Sequence, residues 1–544
     1  MLFRATGHSC RLVRASSTKS SRGCLTSPRA HYAQPDEPNC TGMCVCLGIR
    51  FLRMSSSPYI SKSKYLWGLQ CPKLLWYAYN AKELIPEPDA VTQAIFDQGH
   101  EVGALAKKMF PDGVEVGAGV PNLDETIRLT QAALKFRKPL FEAAFSAGGG
   151  YCRTDILRPA PQNAWDIIEV KSTTSLKDVH LEDLAFQKWV LASAGLKIRS
   201  CYLMHINSDF VRHGEIDLKK FFTMEDVTDQ SAELAQQVTD RLADLFKVIR
   251  QRQTPDIQIG PQCDDPYTCA LHDHCWKFLP SLSVFDLYRG ARKGFDLLGQ
   301  GVTSLEDIPD DFKLTANQEI QRQAAISGKP YINRKAIAKF LAQLVYPVNY
   351  LDFETFGTAI PLFDGVSPYQ QVPFQFSLHT VRASGAKPEH SMFLAEGRHD
   401  PRPAFMLKLR DAVSRTGSIV AYNAPFELGR LKECCEAMPN FSPWLKAVEG
   451  RVVDLLGPFR SFYYYHPDQH GSAGMKAVLP ALTGKGYEGL EIQEGGTASN
   501  EFLRVTFGDL PAEERRRVRE QLEEYCGRDT EGMIWITDAL RRAS

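Results

Sequence analysis

Residues 350–355 read Tyr350-Leu351-Asp352-Phe353-Glu354-Thr355 and place two acids one residue apart on a predicted buried β-strand. Side chains at i and i+2 leave a strand on the same face, so Asp352 and Glu354 point to one spot while the apolar residues beside them face the core. Two carboxylates that converge beside an apolar wall are a predicted divalent-metal site. Because Asp-x-Glu pairs are also common on strand edges, the rest of the sequence decides what this pair means.

Two further segments supply polar groups of the same kind. Glu427 follows an apolar strand predicted at 418–422, and Tyr525 and Asp529 lie four residues apart on one face of a predicted helix. Hydrolysis of a phosphodiester needs a water nucleophile and a stabilised leaving oxygen, and two hard cations about 3.5–4 Å apart supply both. Mg²⁺ and Mn²⁺ prefer oxygen ligands. Tyr525 would orient or help to deprotonate the water, or else simply pack its helix onto the sheet.

The N-terminal half contains a second pattern of acids. Asp155 precedes a predicted strand at 165–171, on which Glu169 and Lys171 share a face. An acid from one strand and Glu-x-Lys from the next form the PD-(D/E)XK arrangement, in which the acids bind Mg²⁺ and the lysine polarises the water or stabilises the phosphate. The alternative is an exposed strand edge with alternating charge.

Length and composition agree with more than one domain. The chain has 544 residues, a length that exceeds what one hydrophobic core usually organises. With 44% hydrophobic and 24% charged residues, its composition is that of an ordinary globular protein. No apolar run reaches 18 residues, so no membrane span is predicted. The formal net charge of zero argues against a uniformly basic nucleic-acid coat but permits local basic grooves.

The predicted domains are 54–280, a nuclease domain with a cysteine cluster; 281–345, a helical connector; and 346–544, an exonuclease domain. Residues 1–53 are basic and serine-rich before the first acid and lack periodicity. They are predicted to be disordered or not part of the functional protein; the alternatives are a mitochondrial-type transit peptide or a start codon assigned upstream of Met54.

The C-terminal motifs resemble those of the DnaQ-like exonucleases of the DEDDy type. These read D-x-E, then N-x-x-F-D, then Y-x-x-x-D, and the resemblance covers roughly residues 346–544. It implies an RNase H-like mixed sheet and release of mononucleotides from 3′ ends. It makes Asp352, Glu354, Glu427 and Asp529 metal ligands and Tyr525 catalytic. Glu427 departs from the usual Asp, and Asp454 is the alternative acid.

The N-terminal motifs resemble those of RecB-type nucleases, which have a restriction-endonuclease-like fold. The resemblance implies that Gln187, on the helix after the Glu-x-Lys strand, is catalytic. It also implies that His100 faces the metal with Asp155 and Glu169; alternatively His100 lies on a helix surface.

Four cysteines flank this half: Cys71, then Cys263, Cys269 and Cys275. One early cysteine and a late trio resemble the iron–sulfur staple of the AddAB helicase-nuclease and of CRISPR-associated RecB-like nucleases. The resemblance implies a [4Fe–4S] cluster. The trio departs from the usual C-x2-C-x5-C spacing. Zn²⁺ is the alternative, with His272 or His274 replacing one thiol, and reduced loop cysteines are a third interpretation.

Residues 54–544 as a whole resemble an uncharacterised bacterial family, the domain-of-unknown-function 2779 family. The resemblance implies an α/β protein in which a RecB-like PD-(D/E)XK iron–sulfur nuclease domain is joined to a DnaQ-like domain. A cytoplasmic, metal-dependent nuclease is expected, acting on nucleic acid, more on DNA than RNA, in DNA repair or defence. A helicase or repair protein is the expected partner. The alternative is a non-catalytic nucleic-acid-binding or scaffold protein with degenerate nuclease folds.

Overall fold

Two mixed β-sheets covered by helices organise the chain, as the α/β prediction required. The structure is a computed structural model, and it describes residues 59–544 except residues 118, 120 and 121. The described residues form one compact unit. The extension predicted at 1–53 lies outside the described residues, and the predicted boundaries at 280 and 345 stay predictions.

The N-terminal half is built around a seven-stranded sheet of order β2-β3-β4-β5-β6-β7, with β1 paired to β4. The strands are β1 (Ile60–Ser61), β2 (Val114–Glu115), β3 (Leu140–Ala147), β4 (Gly150–Ala160), β5 (Ala164–Lys171), β6 (Ile198–Ile206) and β7 (Phe222–Asp226). The helices are α1 (Lys62–Gln70), α2 (Pro72–Asn80), α3 (Ala90–Lys107), α4 (Leu123–Leu134), α5 (Asp178–Ser193), α6 (Leu218–Phe221), α7 (Thr228–Ala235), α8 (Val238–Ile249) and α9 (His272–Trp276).

Strand β5 is covered on both faces, which is why its sequence reads as a nearly continuous apolar run. Ile167 packs with residues of α5 and α8, whereas Ile168 packs with Val102 of α3 on the opposite face. β5 runs antiparallel to β4 and parallel to β6. The register pairs Ile156 with Ile168. Because the two strands are antiparallel, Asp155, just before Ile156, lies opposite Glu169, just after Ile168.

The C-terminal half contains a five-stranded sheet of order β11-β10-β9-β12-β13 and a two-stranded sheet. The strands are β8 (Tyr331–Ile332), β9 (Val348–Phe356), β10 (Val372–Val381), β11 (Glu389–Leu394), β12 (Ile419–Ala421), β13 (Val452–Asp454) and β14 (Tyr464–Tyr465). The helices are α10 (Ala291–Leu298), α11 (Ala316–Ser327), α12 (Arg334–Leu341), α13 (Arg402–Ala412), α14 (Ala424–Ala437), α15 (Ser442–Glu449), α16 (Gly457–Arg460), α17 (Met475–Thr483), α18 (Gly495–Phe507) and α19 (Ala512–Ala543).

Strand β9 separates two apolar clusters, and this decides where its acids point. Leu351 and Phe353 pack with residues of α13, α14 and α15. Tyr350, one step out of phase with them, packs on the other face with residues of α18 and α19. Because alternate residues share a face, Asp352 and Glu354 lie on the α19 side, as the strand pattern predicted.

The segment between β9 and β10 docks against the N-terminal half. Ala359 is buried in the apolar cluster beneath α3, and its backbone N–H donates to Gln98 Oε1 at 2.9 Å. Arg212 donates to the carbonyl oxygen of Pro361 at 2.7 Å. The Tyr369 hydroxyl donates to the carbonyl oxygen of residue 172, directly after the Glu-x-Lys motif. The segment therefore joins the two motif-bearing strands by polar and apolar contacts.

The predicted connector is only partly a connector. It carries α10, α11 and α12, and its short strand β8 pairs with β14 of the C-terminal half. Ile337 and Phe340 of α12 lie in the same apolar cluster as Tyr350. Within the described part of the chain, no helix combines the length and the apolar character needed to cross a bilayer.

Candidate active sites and cysteine cluster

A cavity of about 640 Å³ opens on the α19 side of the C-terminal sheet. The predicted residues Asp352, Glu354, Glu427, Tyr525 and Asp529 all line it. They reach it from a strand and two helices that are distant in sequence. The structure thus brings together every residue predicted for this site.

Glu427 reaches the cavity because the chain turns sharply between β12 and α14. Asn423 at this turn has a φ of 82°, a left-handed conformation that Asn tolerates better than most residues. Asp454 Oδ1 accepts hydrogen bonds from the backbone N–H groups of Asn423 and Leu456, both at 3.0 Å. Asp454 is therefore engaged in fixing the turn and does not line the cavity, whereas Glu427 does.

Helix α19 presents Tyr525 and Asp529 one turn apart, as the i, i+4 spacing predicted. The Tyr487 hydroxyl, on the loop after α17, donates a hydrogen bond to Asp529 Oδ1. Burial, followed by the negative charge of Asp529 and Glu354, raises the pKa of Tyr525 above its ordinary value. The Tyr525 hydroxyl therefore keeps its proton and is able to donate a hydrogen bond.

The four acids crowd one another without matching positive charge. Burial, then the charges of Asp529, Glu354 and Glu427, raises the pKa of Asp352 well above its ordinary value. Burial also raises the pKa of Asp529 to about 7 and that of Glu427 to about 8.

Lys476, an exposed residue, is the cation whose charge partly offsets the rise in the pKa values of Glu354 and Asp529. Within the described residues, Glu427 Oε2 is buried without a hydrogen-bond partner, and neither Asp352 nor Glu354 accepts a side-chain hydrogen bond. Carboxylate oxygens in this state fit one or more divalent cations.

Three helices begin at the wall of this cavity. Their first residues line it: Phe426 near the start of α14, Met475 at the start of α17 and Gly495 at the start of α18. A Cβ atom added to Gly495 would lie 3.7 Å from Glu354 Oε2, so this helix end closely approaches the acids. Helix N-termini carry partial positive charge and favour anionic groups such as phosphate.

The N-terminal motif residues also converge. Asp155 Oδ2 accepts from the backbone N–H of Val170 at 2.7 Å. Lys171 Nζ donates to Glu169 Oε1 at 2.7 Å, and Gln187 Nε2 donates to Glu169 Oε2 at 2.7 Å. Glu169 is 1% exposed. The predicted Glu-x-Lys pair is thus a buried, bonded pair on a covered strand and is not an exposed edge.

Two residues that sequence reasoning left out complete this cluster. Lys62, at the start of α1, donates to Glu169 Oε1 at 2.8 Å. Asp183 of α5 accepts from Lys171 Nζ at 2.7 Å and from Gln187 Nε2 at 2.8 Å. The cluster therefore contains three acids and two lysines.

The lysines dominate the electrostatics of Glu169. Burial alone would raise the pKa of Glu169, but the charges of Lys171 and Lys62 hold it well below its ordinary value. Burial and then the charge of Glu169 raise the pKa of Asp155 to about 7. The pKa values of Asp155 and Glu169, which lie on neighbouring strands, are therefore shifted in opposite directions.

His100 does not join this group. It lies on α3 and is exposed, and no hydrogen bond between described residues connects it to Asp155, Glu169 or Lys171. The exposed placement is that of the helix-surface alternative, and the metal-facing role of His100 stays a prediction.

The four flanking cysteines line one cleft, although Cys71 lies far from the others in sequence. Burial raises the pKa of Cys269 to about 11. The backbone N–H of Leu271 opposes this rise, and the neighbouring thiols of Cys71, Cys263 and Cys275 add to it. Gln70 Nε2 donates to the carbonyl oxygens of Gln262 at 2.8 Å and Tyr267 at 2.6 Å, which fastens α1 to the loop of the trio. All four thiols are free.

The histidines near the thiols differ in availability. His274 Nε2 lies 3.1 Å from the Tyr77 hydroxyl and does not line the cleft, whereas His272 does. Among the described residues, no three of the four thiols have sulfur atoms within 4.8 Å of one another. One Zn²⁺ with bonds of about 2.3 Å would hold its sulfurs within about 4 Å. The cleft thus offers four thiols and the His272 imidazole as potential ligands.

The residues that sequence reasoning missed share one property. Lys62, Asp183, Lys476 and Tyr487 reach the sites by tertiary contacts over long sequence separations or from loops. No local spacing indicates Lys62, Lys476 or Tyr487. Asp183 is the exception, because it lies four residues before the predicted Gln187 on α5 and an i, i+4 search could have found it.

Comparison with known proteins gives limited likenesses. The "Uncharacterized protein MG366 homolog" of Mycoplasma pneumoniae (strain ATCC 29342 / M129 / Subtype 1) is 23% identical over 209 residues, which are 34% of this chain. The aligned part spans 31% of the length of that relative. A solved structure titled "Crystal structure of SSO0001" is 14% identical and covers 41% of this chain and 89% of its own, with a TM-score of 0.22. Residues 349–474 match the model of the family described as "Domain of unknown function (DUF2779)", which confirms the family resemblance over that segment.

Proposed function

We propose that the protein is a metal-dependent nuclease whose C-terminal cavity removes nucleotides from the 3′ ends of nucleic acid, DNA in preference to RNA. One observation carries the proposal: four acids line one cavity, and a single exposed lysine opposes their charge. A site of this kind favours cation binding. The helix N-termini at the wall of the same cavity favour the phosphate of a substrate.

Each residue of the cavity has a distinct task in this proposal. Two bound divalent ions, Mg²⁺ or Mn²⁺, would supply an activated water and stabilise the leaving oxygen. Asp352, Glu354, Glu427 and Asp529 hold these ions. Tyr525 donates a hydrogen bond that orients the attacking water or the phosphate. Tyr487 fixes the rotamer of Asp529 through its hydroxyl.

The N-terminal cluster is proposed as a second nuclease site. Asp155 and Glu169 would hold a divalent ion, Lys171 would polarise the water, and Gln187 orients Glu169 through its amide. Lys62 bonds to the Glu169 oxygen that also accepts from Lys171. A metal ion at Glu169 therefore requires that Lys62 move away or share this oxygen.

The finer fold assignments belong to the same proposal. The five-stranded order β11-β10-β9-β12-β13, with β10 antiparallel to β9 and β12 parallel to it, supports an RNase H-like sheet. The acids at β4 and β5, followed by α5, support a restriction-endonuclease-like N-terminal domain. Cys71, Cys263, Cys269 and Cys275 would hold a [4Fe–4S] cluster. The proposed setting is cytoplasmic DNA repair or defence, with a helicase or repair protein as partner.

The proposal is tested by incubating purified full-length protein with end-labelled single- and double-stranded DNA and RNA, in Mg²⁺, Mn²⁺ or EDTA. Lys171→Ala silences the N-terminal site, and Asp352→Asn silences the C-terminal site. In the Lys171→Ala background we expect mononucleotide products, and adding Asp352→Asn should lower the rate by orders of magnitude. Tyr525→Phe should lower it by about 10²-fold, the lower end of what a positioned proton donor contributes.

Asp454→Asn is the matched control, because Asp454 is a neighbouring acid outside the cavity and an Asn oxygen can still accept the two backbone hydrogen bonds. It should keep the parent rate. Glu427→Ala at full activity would remove Glu427 from the metal ligands. If the Lys171→Ala and Asp352→Asn double variant cuts as well as wild type, neither site is a nuclease, and the protein is a nucleic-acid-binding or scaffold protein.

A further inference from the structure

The thiol of Cys526 lies among the acids of the C-terminal cavity. Among the described residues, Asp352, Glu354 and Cys526 form the group of three whose potential ligand atoms all lie within 4.8 Å of one another. Cys526 is fully buried and sits three residues before Asp529 on α19, on the face that points at β9. A metal ion with bonds of 2.0–2.3 Å spans ligand atoms about 4 Å apart, so one ion can contact all three after small movements.

The surroundings of the thiol offer a cation little competition. The carboxylates of Asp352 and Glu354 accept no side-chain hydrogen bond within the described residues. Glu427, which is 5% exposed and lines the same cavity, has a buried oxygen without a partner. An unpartnered buried carboxylate oxygen beside the trio points independently to a ligand that the site is built to receive.

We propose that Cys526 is a metal ligand, so that this site binds a borderline thiophilic divalent ion, Zn²⁺ or Co²⁺, more tightly than Mg²⁺. The inference rests on the proposed role of Asp352 and Glu354 as metal ligands and adds the identity of the preferred ion. Carboxylate and water suit Mg²⁺ and Mn²⁺, whereas thiolate selects softer ions. A site with two carboxylates and one thiolate therefore discriminates against Mg²⁺.

The binding step is balanced without a redox partner. The S–H bond of Cys526 breaks, a sulfur–metal bond forms, and the proton passes to the buffer. A coordinating thiol is deprotonated by the ion itself, so the step needs no separate base. Binding of the thiophilic ion consequently releases one proton more from wild type than from a variant without the thiol.

The test titrates full-length protein, with its four cleft cysteines intact and its cluster loaded, with Co²⁺ alone and with Mg²⁺ alone. Sulfur-to-cobalt charge-transfer absorption in the near ultraviolet reports thiolate ligation, and carboxylates do not give it. We expect this absorption in wild type and its loss in Cys526→Ala. The dissociation constant for Co²⁺ should rise by about tenfold or more, while that for Mg²⁺ changes little.

Cys434→Ser is the matched control, because Cys434 is a buried thiol of α14 that packs in the cluster on the other face of β9. It should keep the cobalt signal. If Cys526→Ala does not fold, the comparison of wild type with Asp352→Asn decides: a thiolate signal that survives Asp352→Asn arises elsewhere and overturns the proposal.

The same data separate this inference from the proposed function. Cobalt that binds in wild type without charge-transfer absorption, and is lost in Asp352→Asn, would overturn ligation by Cys526 and leave the acids as metal ligands. Cobalt binding that is equal in wild type and in Asp352→Asn would overturn both.

Discussion

The two acid clusters of this molecule contain similar residues but are neutralised in different ways. At the N-terminal cluster, Lys62 and Lys171 bond directly to Glu169. At the C-terminal cluster, the cation that acts on the acids is the exposed Lys476, which forms no hydrogen bond to them among the described contacts. The pKa of Glu169 is accordingly lowered, whereas the pKa of Asp352 is raised.

This difference teaches that acid content alone does not define a cation site. The N-terminal acids are bonded to lysines, so removal of an acid there breaks buried, hydrogen-bonded ion pairs. The C-terminal acids repel one another, so removal of an acid there relieves repulsion. The two clusters should therefore respond to the same chemical change with opposite signs.

The largest expected effect is on the N-terminal cluster. Glu169→Gln should lower the free energy of unfolding by about 3 kcal/mol, because the buried carboxylate of Glu169 accepts from Lys62, Lys171 and Gln187 and the substitution weakens these bonds. Urea unfolding of metal-free protein measures it. Glu182→Gln, which removes a partly exposed acid of the same helix as Gln187, should change stability by about 1 kcal/mol or less and serves as the control.

The second effect has the opposite sign. Asp352→Asn should raise the unfolding free energy of metal-free protein by about 1 kcal/mol, because it removes one buried charge from a group of like charges. Saturating Mn²⁺ should reverse the order of wild type and variant, since wild type alone keeps the full ligand set. If Asp352→Asn destabilises the metal-free protein as Glu169→Gln does, the contrast between the clusters is wrong.

The pH dependence sharpens the contrast further. The pKa values of Asp529 and Glu427 are raised to about 7 and about 8, so the folded protein binds protons that the unfolded chain releases near pH 4. Their stabilising contribution is present below about pH 4 and is lost as the pH rises through about 7 to 8. The melting temperature of metal-free protein should therefore fall between about pH 5 and pH 8, and Mn²⁺ should flatten this fall. A flat metal-free profile that Asp352→Asn does not alter would contradict it.

The smallest effect concerns the side-chain hydrogen bond from Tyr487 to Asp529 in the C-terminal cluster. Tyr487→Phe removes the donor to Asp529 and should lower stability by about 1 kcal/mol. Because that bond holds the pKa of Asp529 down, the pH at which activity rises should move upwards in the variant. Tyr464→Phe, a buried tyrosine outside the cavity, is the control and should leave the pH profile unchanged.

The sequence predicted those site residues that the periodicity of a strand or a helix places on one face. Strand alternation correctly oriented Asp352 and Glu354, and helical spacing correctly paired Tyr525 with Asp529. Cys526 directly follows Tyr525 on α19 and lies near Asp352 and Glu354 of β9. It was overlooked because i, i+1 neighbours on a helix do not share a face. A search that includes i, i+3 with Asp529 would have found it.

The sequence did not indicate the side chains that bond to the acids from distant parts of the chain. Lys62 is separated from Glu169 by 107 residues, and Tyr487 from Asp529 by 42. Such partners are selected by the packing of whole elements, so no local pattern encodes them. The proposed role of His100 depends on packing of the same kind, since the sequence alone did not decide which face of its helix is exposed.

During synthesis, the C-terminal cavity can form only after helix α19 has been made. Asp352 and Glu354 leave the ribosome long before the 32-residue helix that carries Asp529. Until that helix docks, Asp352 and Glu354 lack the carboxylate of Asp529. Strand β9 also lacks the helix that covers the same face. The nascent chain therefore cannot assemble the acid quartet, and competence to bind metal should appear only after the last of these elements has folded.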